Sequence, residues 1–116
     1  MIQGVHHFAV IASSEDIVAF YQRLGFEEFK RVERNNDTVV LLYGHGLQLE
    51  IFVDASHPPR SVPEPMGLRH LALRVDDVEK TSKELCLEIG PIMTDWVGKR
   101  YCFAADPDGN QFELHE

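Results

Sequence analysis

The sequence predicts an α+β fold of two βαβββ modules joined into one domain. Three observations predict it. The chain is 116 residues long, a strand–helix–strand–strand–strand order is met twice, and a proline-rich stretch separates the two runs. At about 150 residues per domain this length holds one domain and no second one. A chain of this size buries enough apolar surface to fold without disulfides. With 44% hydrophobic and 26% charged residues, the composition argues against wholesale disorder.

The first module is expected over residues 1–53. Residues 3–12 alternate as a strand, with Val5, His7, Ala9 and Ile11 on one face and His6, Phe8 and Val10 on the other. Ser13 and Ser14 offer an N-cap, and Glu15 and Asp16 place negative charge in the first helical turn. Ile17, Phe20, Tyr21 and Leu24 recur at helical spacing, and Gly25 ends the helix. Strands follow at 26–34, 38–43 and 47–53, separated by the turn residues Asn35-Asn36-Asp37 and Gly44-His45-Gly46.

Residues 54–67 hold four of the six prolines and read as a stiff, extended linker. The second module, 68–116, restarts the order with a strand at 68–75. Asp76 or Asp77 caps a second helix, and Asp76 with Glu79 fits a capping box. Val78, Leu85 and Ile89 mark its apolar stripe, and Gly90-Pro91 is its expected end. Strands are expected at 92–97, 99–105 and 111–115, the last two joined by the turn Asp106-Pro107-Asp108-Gly109.

Charge narrows the classes of partner. Eleven basic against nineteen acidic residues give a net charge of -8. Nucleic acids and anionic membranes are recognised by basic stripes, and the densest cluster here is the pair Lys99-Arg100. No apolar run approaches the length of a membrane span. The first residues show no basic region followed by an apolar core, so a cytoplasmic address is expected. Cys86 and Cys102 lack a metal-type spacing and read as reduced, partly buried thiols.

The two modules repeat with an offset of 63 residues. Gly4/Gly67, His7/His70, Ala9/Ala72, Gly46/Gly109, Gln48/Gln111 and Glu50/Glu113 are identical pairs. These six identities fall in two nine-residue windows, where about one is expected at ordinary residue frequencies. Strand alternation then sorts the faces. Leu47, Leu49, Ile51 and Val53 oppose Gln48 and Glu50, while Phe112 and Leu114 oppose Gln111, Glu113 and His115. The apolar faces suit packing on the helices. The opposite faces carry His7, His70, Glu50 and Glu113. A carboxylate on a face away from water is costly unless it is paired or bound to a cation. If the modules face one another about a pseudo-two-fold axis, two imidazoles and two carboxylates converge. Such a set suits one borderline divalent ion, Zn²⁺, Ni²⁺, Co²⁺, Fe²⁺ or Mn²⁺, and an octahedral ion would keep two positions open. His6, on the opposite face by alternation, is expected to be no ligand.

The stretches V-H-H-F-A-V-I, A-F-Y-Q-R-L-G-F, L-Q-L-E-I-F, G-L-R-H-L-A-L-R-V-D-D-V and D-P-D-G-N-Q-F-E-L together resemble the vicinal oxygen chelate superfamily. More narrowly they resemble its glyoxalase I (lactoylglutathione lyase) branch. The resemblance covers nearly the whole chain outside the linker. It implies that the paired modules form a cupped, eight-stranded mixed sheet with helices outside, around one metal held by His7, Glu50, His70 and Glu113. It implies Zn²⁺ or Ni²⁺ as the first choices of ion, and a homodimer. The site then lies within one chain, or is shared between two chains that exchange modules.

The resemblance also bears on the reaction. Ring-cleaving dioxygenases and thiol transferases of this superfamily generally use two His and one Glu, methylmalonyl-CoA epimerase usually has Gln where this chain has Glu50, and drug-sequestering members usually lack the metal set. The full set therefore implies a lyase that isomerises the hemithioacetal of methylglyoxal and glutathione through a metal-stabilised enediolate. Glu113 is implied as the base, with Glu50 poised on the other side. Glutathione carries carboxylates, for which Lys99 and Arg100, with Arg60 and Arg69 as further options, are the expected cationic contacts. The alternatives are another metalloenzyme of the superfamily, or a protein that sequesters a small molecule.

Overall fold

The computed structural model describes residues 1–116. It has ten elements: β1 (Phe8–Ala12), α1 (Glu15–Arg23), β2 (Glu27–Glu33), β3 (Thr38–Gly44), β4 (Leu47–Val53), β5 (Leu71–Arg74), α2 (Val78–Glu84), β6 (Met93–Thr94), β7 (Arg100–Ala105) and β8 (Gln111–His115). The α+β class and the two βαβββ runs are as the sequence predicts. The eight strands form two four-stranded mixed sheets, ordered β1-β4-β3-β2 and β5-β8-β7-β6. The chain divides into two compact units, Met1–Pro58 and Pro59–Glu116.

In the first unit β1 runs parallel to β4, and the other pairs are antiparallel. Residues 3–7 alternate like a strand but have no ladder partner. The first pair is Phe8 with Leu49, so the strand starts five residues later than the pattern suggests. Val40, Leu42, Leu49 and Ile51 are buried on one face of the sheet, as are Ile17, Val18, Phe20, Tyr21 and Leu24 of the helical segment. Full burial of each such large side chain is worth about 1.5–3 kcal/mol. Ser14 caps α1, its hydroxyl accepting from the Asp16 amide at 3.2 Å. At the other end the Phe26 amide donates to the Tyr21 carbonyl and the Gly25 amide to the Gln22 carbonyl. This is a Schellman closure with Gly25 at φ +102°.

The second unit repeats the topology, β5 parallel to β8 and the rest antiparallel. Its core is smaller: Val78, Cys102, Ala104, Phe112 and Leu114. Four expectations are corrected here. β5 starts at Leu71, because the ladder with β8 starts at the pair Leu71 and Phe112. Asp77, not Asp76, caps α2 and accepts from the Lys80 amide at 2.9 Å, so there is no Asp76–Glu79 capping box. The helix ends at Glu84, well before Gly90-Pro91. The Leu87 amide donates to Ser82 and the Cys86 amide to Lys83, the same closure as in α1, with Cys86 at φ +53° in the glycine position. Finally, the strand expected over 92–97 shrinks to Met93–Thr94. The Asp95 carboxylate turns the chain there by accepting from the Val97 and Lys99 amides at 2.9 and 2.8 Å. Both cysteines are free. Cys86 is exposed, and Cys102 is buried in β7 with its thiol pushed up by burial.

Residues 54–67 contain neither helix nor strand. No helix is long and apolar enough to cross a membrane.

Candidate metal centre

Glu50 stands mid-strand on β4, between Ala9 of β1 and Leu41 of β3. Its side chain is 18% exposed. Leu49 and Ile51 point to the core on either side, and alternation turns Glu50 to the other face. His7 directly precedes β1, and its Nδ1 lies 3.1 Å from Glu50 Oε2. Gln48, two residues along the same face, donates from Nε2 to that carboxylate oxygen at 3.2 Å.

The second unit repeats this arrangement. Glu113 stands mid-strand on β8, between Ala72 of β5 and Phe103 of β7, with its side chain 14% exposed. His70 directly precedes β5, and its Nε2 lies 4.0 Å from Glu113 Oε1. The His70 ring meets Phe103 edge to face at a centroid distance of 5.2 Å. Its Nδ1 is buried and has no hydrogen-bond partner. The small side chains of Ala9 and Ala72 occupy the neighbouring strand position in each unit.

Each unit brings an imidazole nitrogen and a carboxylate oxygen close together, donor types that suit a divalent cation. Two donors about 2.1 Å from one ion are separated by roughly 3.0 Å at a right angle and 4.2 Å in line. The His7–Glu50 and His70–Glu113 spacings both fall in that range. In the first unit His6 joins the group. His6, His7 and Glu50 each place one ligand atom within 4.8 Å of the others. The alternation that puts His6 on the far face does not apply, because His6 and His7 lie ahead of the ladder. The adjacent histidines were the available signal for this.

The remaining candidates are engaged elsewhere. His115 shares the face of Glu113, but its Nε2 meets Asp95 Oδ2 at 2.9 Å and its Nδ1 meets the Glu116 carbonyl oxygen at 2.8 Å. Neither ring nitrogen is left as a ligand. The ring stacks on Tyr101, with 14° between planes. His45 Nε2 meets the Leu24 carbonyl oxygen at the end of α1, and His57 lies 3.3 Å from Asp54. Arg100, an expected contact for an anionic thiol, donates to Glu116 and to Glu79 instead. Arg69 donates to Glu64 at 2.7 Å. Lys99 and Arg60 are exposed.

Comparison with known proteins agrees with this architecture. Residues 4–114 match the model of the Glyoxalase/Bleomycin resistance protein/Dioxygenase superfamily, and the chain belongs to that family. It is 38% identical to the protein YwkD of Bacillus subtilis (strain 168), covering 100% of this chain and 98% of YwkD. It is 36% identical to YaeR of Escherichia coli (strain K12), covering 99% and 97%. Among solved structures it is similar to a glyoxalase family protein from Enterococcus faecalis. The TM-score is 0.89 at 36% identity, covering 98% of both chains.

Proposed function

We propose that the chain is a metal-dependent lyase of the glyoxalase I type, which isomerises the hemithioacetal of a 2-oxoaldehyde and a thiol, as with methylglyoxal and glutathione. One observation carries this reading. The same His–Glu pair stands at equivalent positions of both modules, with each pair spaced to share a cation. In this reading modules 1–53 and 68–116, joined by 54–67, act as one domain. His7, Glu50, His70 and Glu113 would hold the ion, a borderline divalent cation by donor type and Zn²⁺ or Ni²⁺ first by the family resemblance.

A bound divalent ion supplies Lewis-acid stabilisation of negative charge developing on two adjacent oxygens. The chain's own groups do the proton transfer. Glu113 accepts the proton from the carbon bearing the hydroxyl and returns it to the adjacent carbon, while the hydroxyl proton passes to the former carbonyl oxygen, so the substrate is isomerised with no net gain or loss of atoms. Glu50, at the equivalent position, serves the opposite face of the substrate. Gln48 orients Glu50 by donating to it, as groups behind a metal ligand commonly do. Lys99 and Arg60 are the expected cationic contacts left for a thiol carboxylate once Arg100 is held by Glu79 and Glu116 and Arg69 by Glu64.

The engagement of Arg100 by Glu116 and Glu79, and of Arg69 by Glu64, favours a second reading, in which the superfamily chemistry is kept but the thiol is less anionic than glutathione or is not used. The test is thioester formation from methylglyoxal and glutathione by metal-stripped protein reloaded with Ni²⁺ or Zn²⁺. Turnover that appears only with metal supports the lyase. Tight metal binding with no thioester formed overturns the lyase in favour of the second reading.

A further inference from the structure

The first module holds a donor that the second lacks. Sixty-three residues beyond His6 stands Arg69, which cannot ligate and is paired with Glu64. In the first module His6 Nδ1 lies 2.8 Å from His7 Nδ1, and the two rings are nearly perpendicular at 85°. His7 Nδ1 in turn lies 3.1 Å from Glu50 Oε2. A single proton serves these three atoms poorly. Placed on His7 Nδ1, it is split between two acceptors. Placed on His6 Nδ1, it leaves the His7 lone pair facing a carboxylate. A cation satisfies all three, because each atom then offers a lone pair. The two spacings also match the edge of an octahedron of donors, about 3.0 Å for donors about 2.1 Å from the ion.

We propose that His6, His7 and Glu50 form a three-donor site by which the first module alone retains a borderline divalent cation. The proposal rests on the metal-dependent reading above and adds His6 to it. Two imidazoles and one carboxylate are a donor set known to leave coordination positions open for other ligands. An octahedral ion has six positions. Four donors from His7, Glu50, His70 and Glu113 and two oxygens of a chelating substrate would fill them. His6 would therefore be a donor of the substrate-free protein, giving up its place to a substrate oxygen. Its exposure and its place outside any strand leave its ring free to swing away.

The test uses Co²⁺ as the probe. Its affinity is measured by competition with a chelator and its coordination by visible absorption, in the full-length chain. The His70→Ala/Glu113→Gln variant is expected to bind one Co²⁺ more weakly than the natural chain. Adding His6→Ala to that variant is expected to weaken binding at least about tenfold, the lower range for loss of even an outer partner of a metal site. His6→Asp, which restores an oxygen donor, is expected to recover binding. No Co²⁺ binding in the His70→Ala/Glu113→Gln variant, or no effect of His6→Ala in it, overturns the proposal. Equal affinity of that variant and the natural chain supports the three-donor site and overturns the four-donor centre, so the two failures are distinguishable.

Discussion

The Arg100 guanidinium grips both carboxylate oxygens of Glu116, with Nε 3.1 Å from Oε1 and Nη2 2.7 Å from Oε2. The same carboxylate accepts from the Val78 amide at the start of α2, at 2.9 Å. The Glu116 amide donates back to the Arg100 carbonyl at 2.9 Å. One residue thus ties β7, the end of β8 and the N-terminus of α2 together in the unit with the smaller core.

The Arg100 guanidinium holds the Glu116 carboxyl below its ordinary value of 4.5, and the Val78 amide adds to this. A depressed folded value means that the stabilisation is complete above the ordinary value and is lost as pH falls through the folded one. Glu116→Gln is expected to lower the urea midpoint at pH 7 and to flatten its fall between about pH 5 and 3. Some acid sensitivity remains in the variant, because Asp95 is also held low, first by the Lys99 amide. Urea titrations at stepped pH check this, and parallel profiles for the two proteins would contradict it.

The two helix ends make opposite predictions at equivalent positions. At Gly25 an added Cβ would lie 2.8 Å from His45 Nε2, with φ at +102°. Gly25→Ala should cost more than about 1 kcal/mol, the lower range for a non-glycine residue in a left-handed conformation. Cys86 already bears that conformation at φ +53°. Cys86→Gly should stabilise by roughly 0.5–1 kcal/mol, the relief of strain less the added backbone entropy of glycine. Equilibrium unfolding gives both values, and a destabilised Cys86→Gly would refute the second.

Glu113→Gln keeps the volume and one oxygen donor but removes the proposed base. Turnover of the hemithioacetal should fall at least about 100-fold with much of the metal affinity retained. Rate and metal affinity measured on the same preparation separate the two roles. Near-normal turnover would remove Glu113 from proton transfer.

Much of the architecture was legible because local and long-range signals agree. β8 alternates strictly and β4 does so up to Ile51, both between turn residues, and their bounds are those expected from the pattern. Ser14 and Gly25 mark α1 at both ends because capping is local chemistry. The failures are non-local or silent in composition. The start of β1 depends on where β4 can pair with it, which alternation cannot report. Cys86 ends α2 in a conformation that its residue type does not advertise, while Gly90-Pro91 resembles a stop and follows the true one. Arg100 reads as a free cation until Glu116 is folded beside it. At the site, the repeat identifies one His–Glu pair per module, and each pair is close in its own unit. The contact of His6 is invisible to strand alternation, because His6 lies ahead of the ladder that starts at Phe8.

The most direct measurement of the central claim is divalent-ion affinity, by competition with a chelator, of the natural chain against His7→Ala and His70→Ala. Donors from both modules on one ion predict one tightly held ion per four-residue set, with affinity at least about tenfold weaker in each variant. A natural chain that retains no ion, or a His70→Ala variant that binds as tightly as the natural chain, would contradict it.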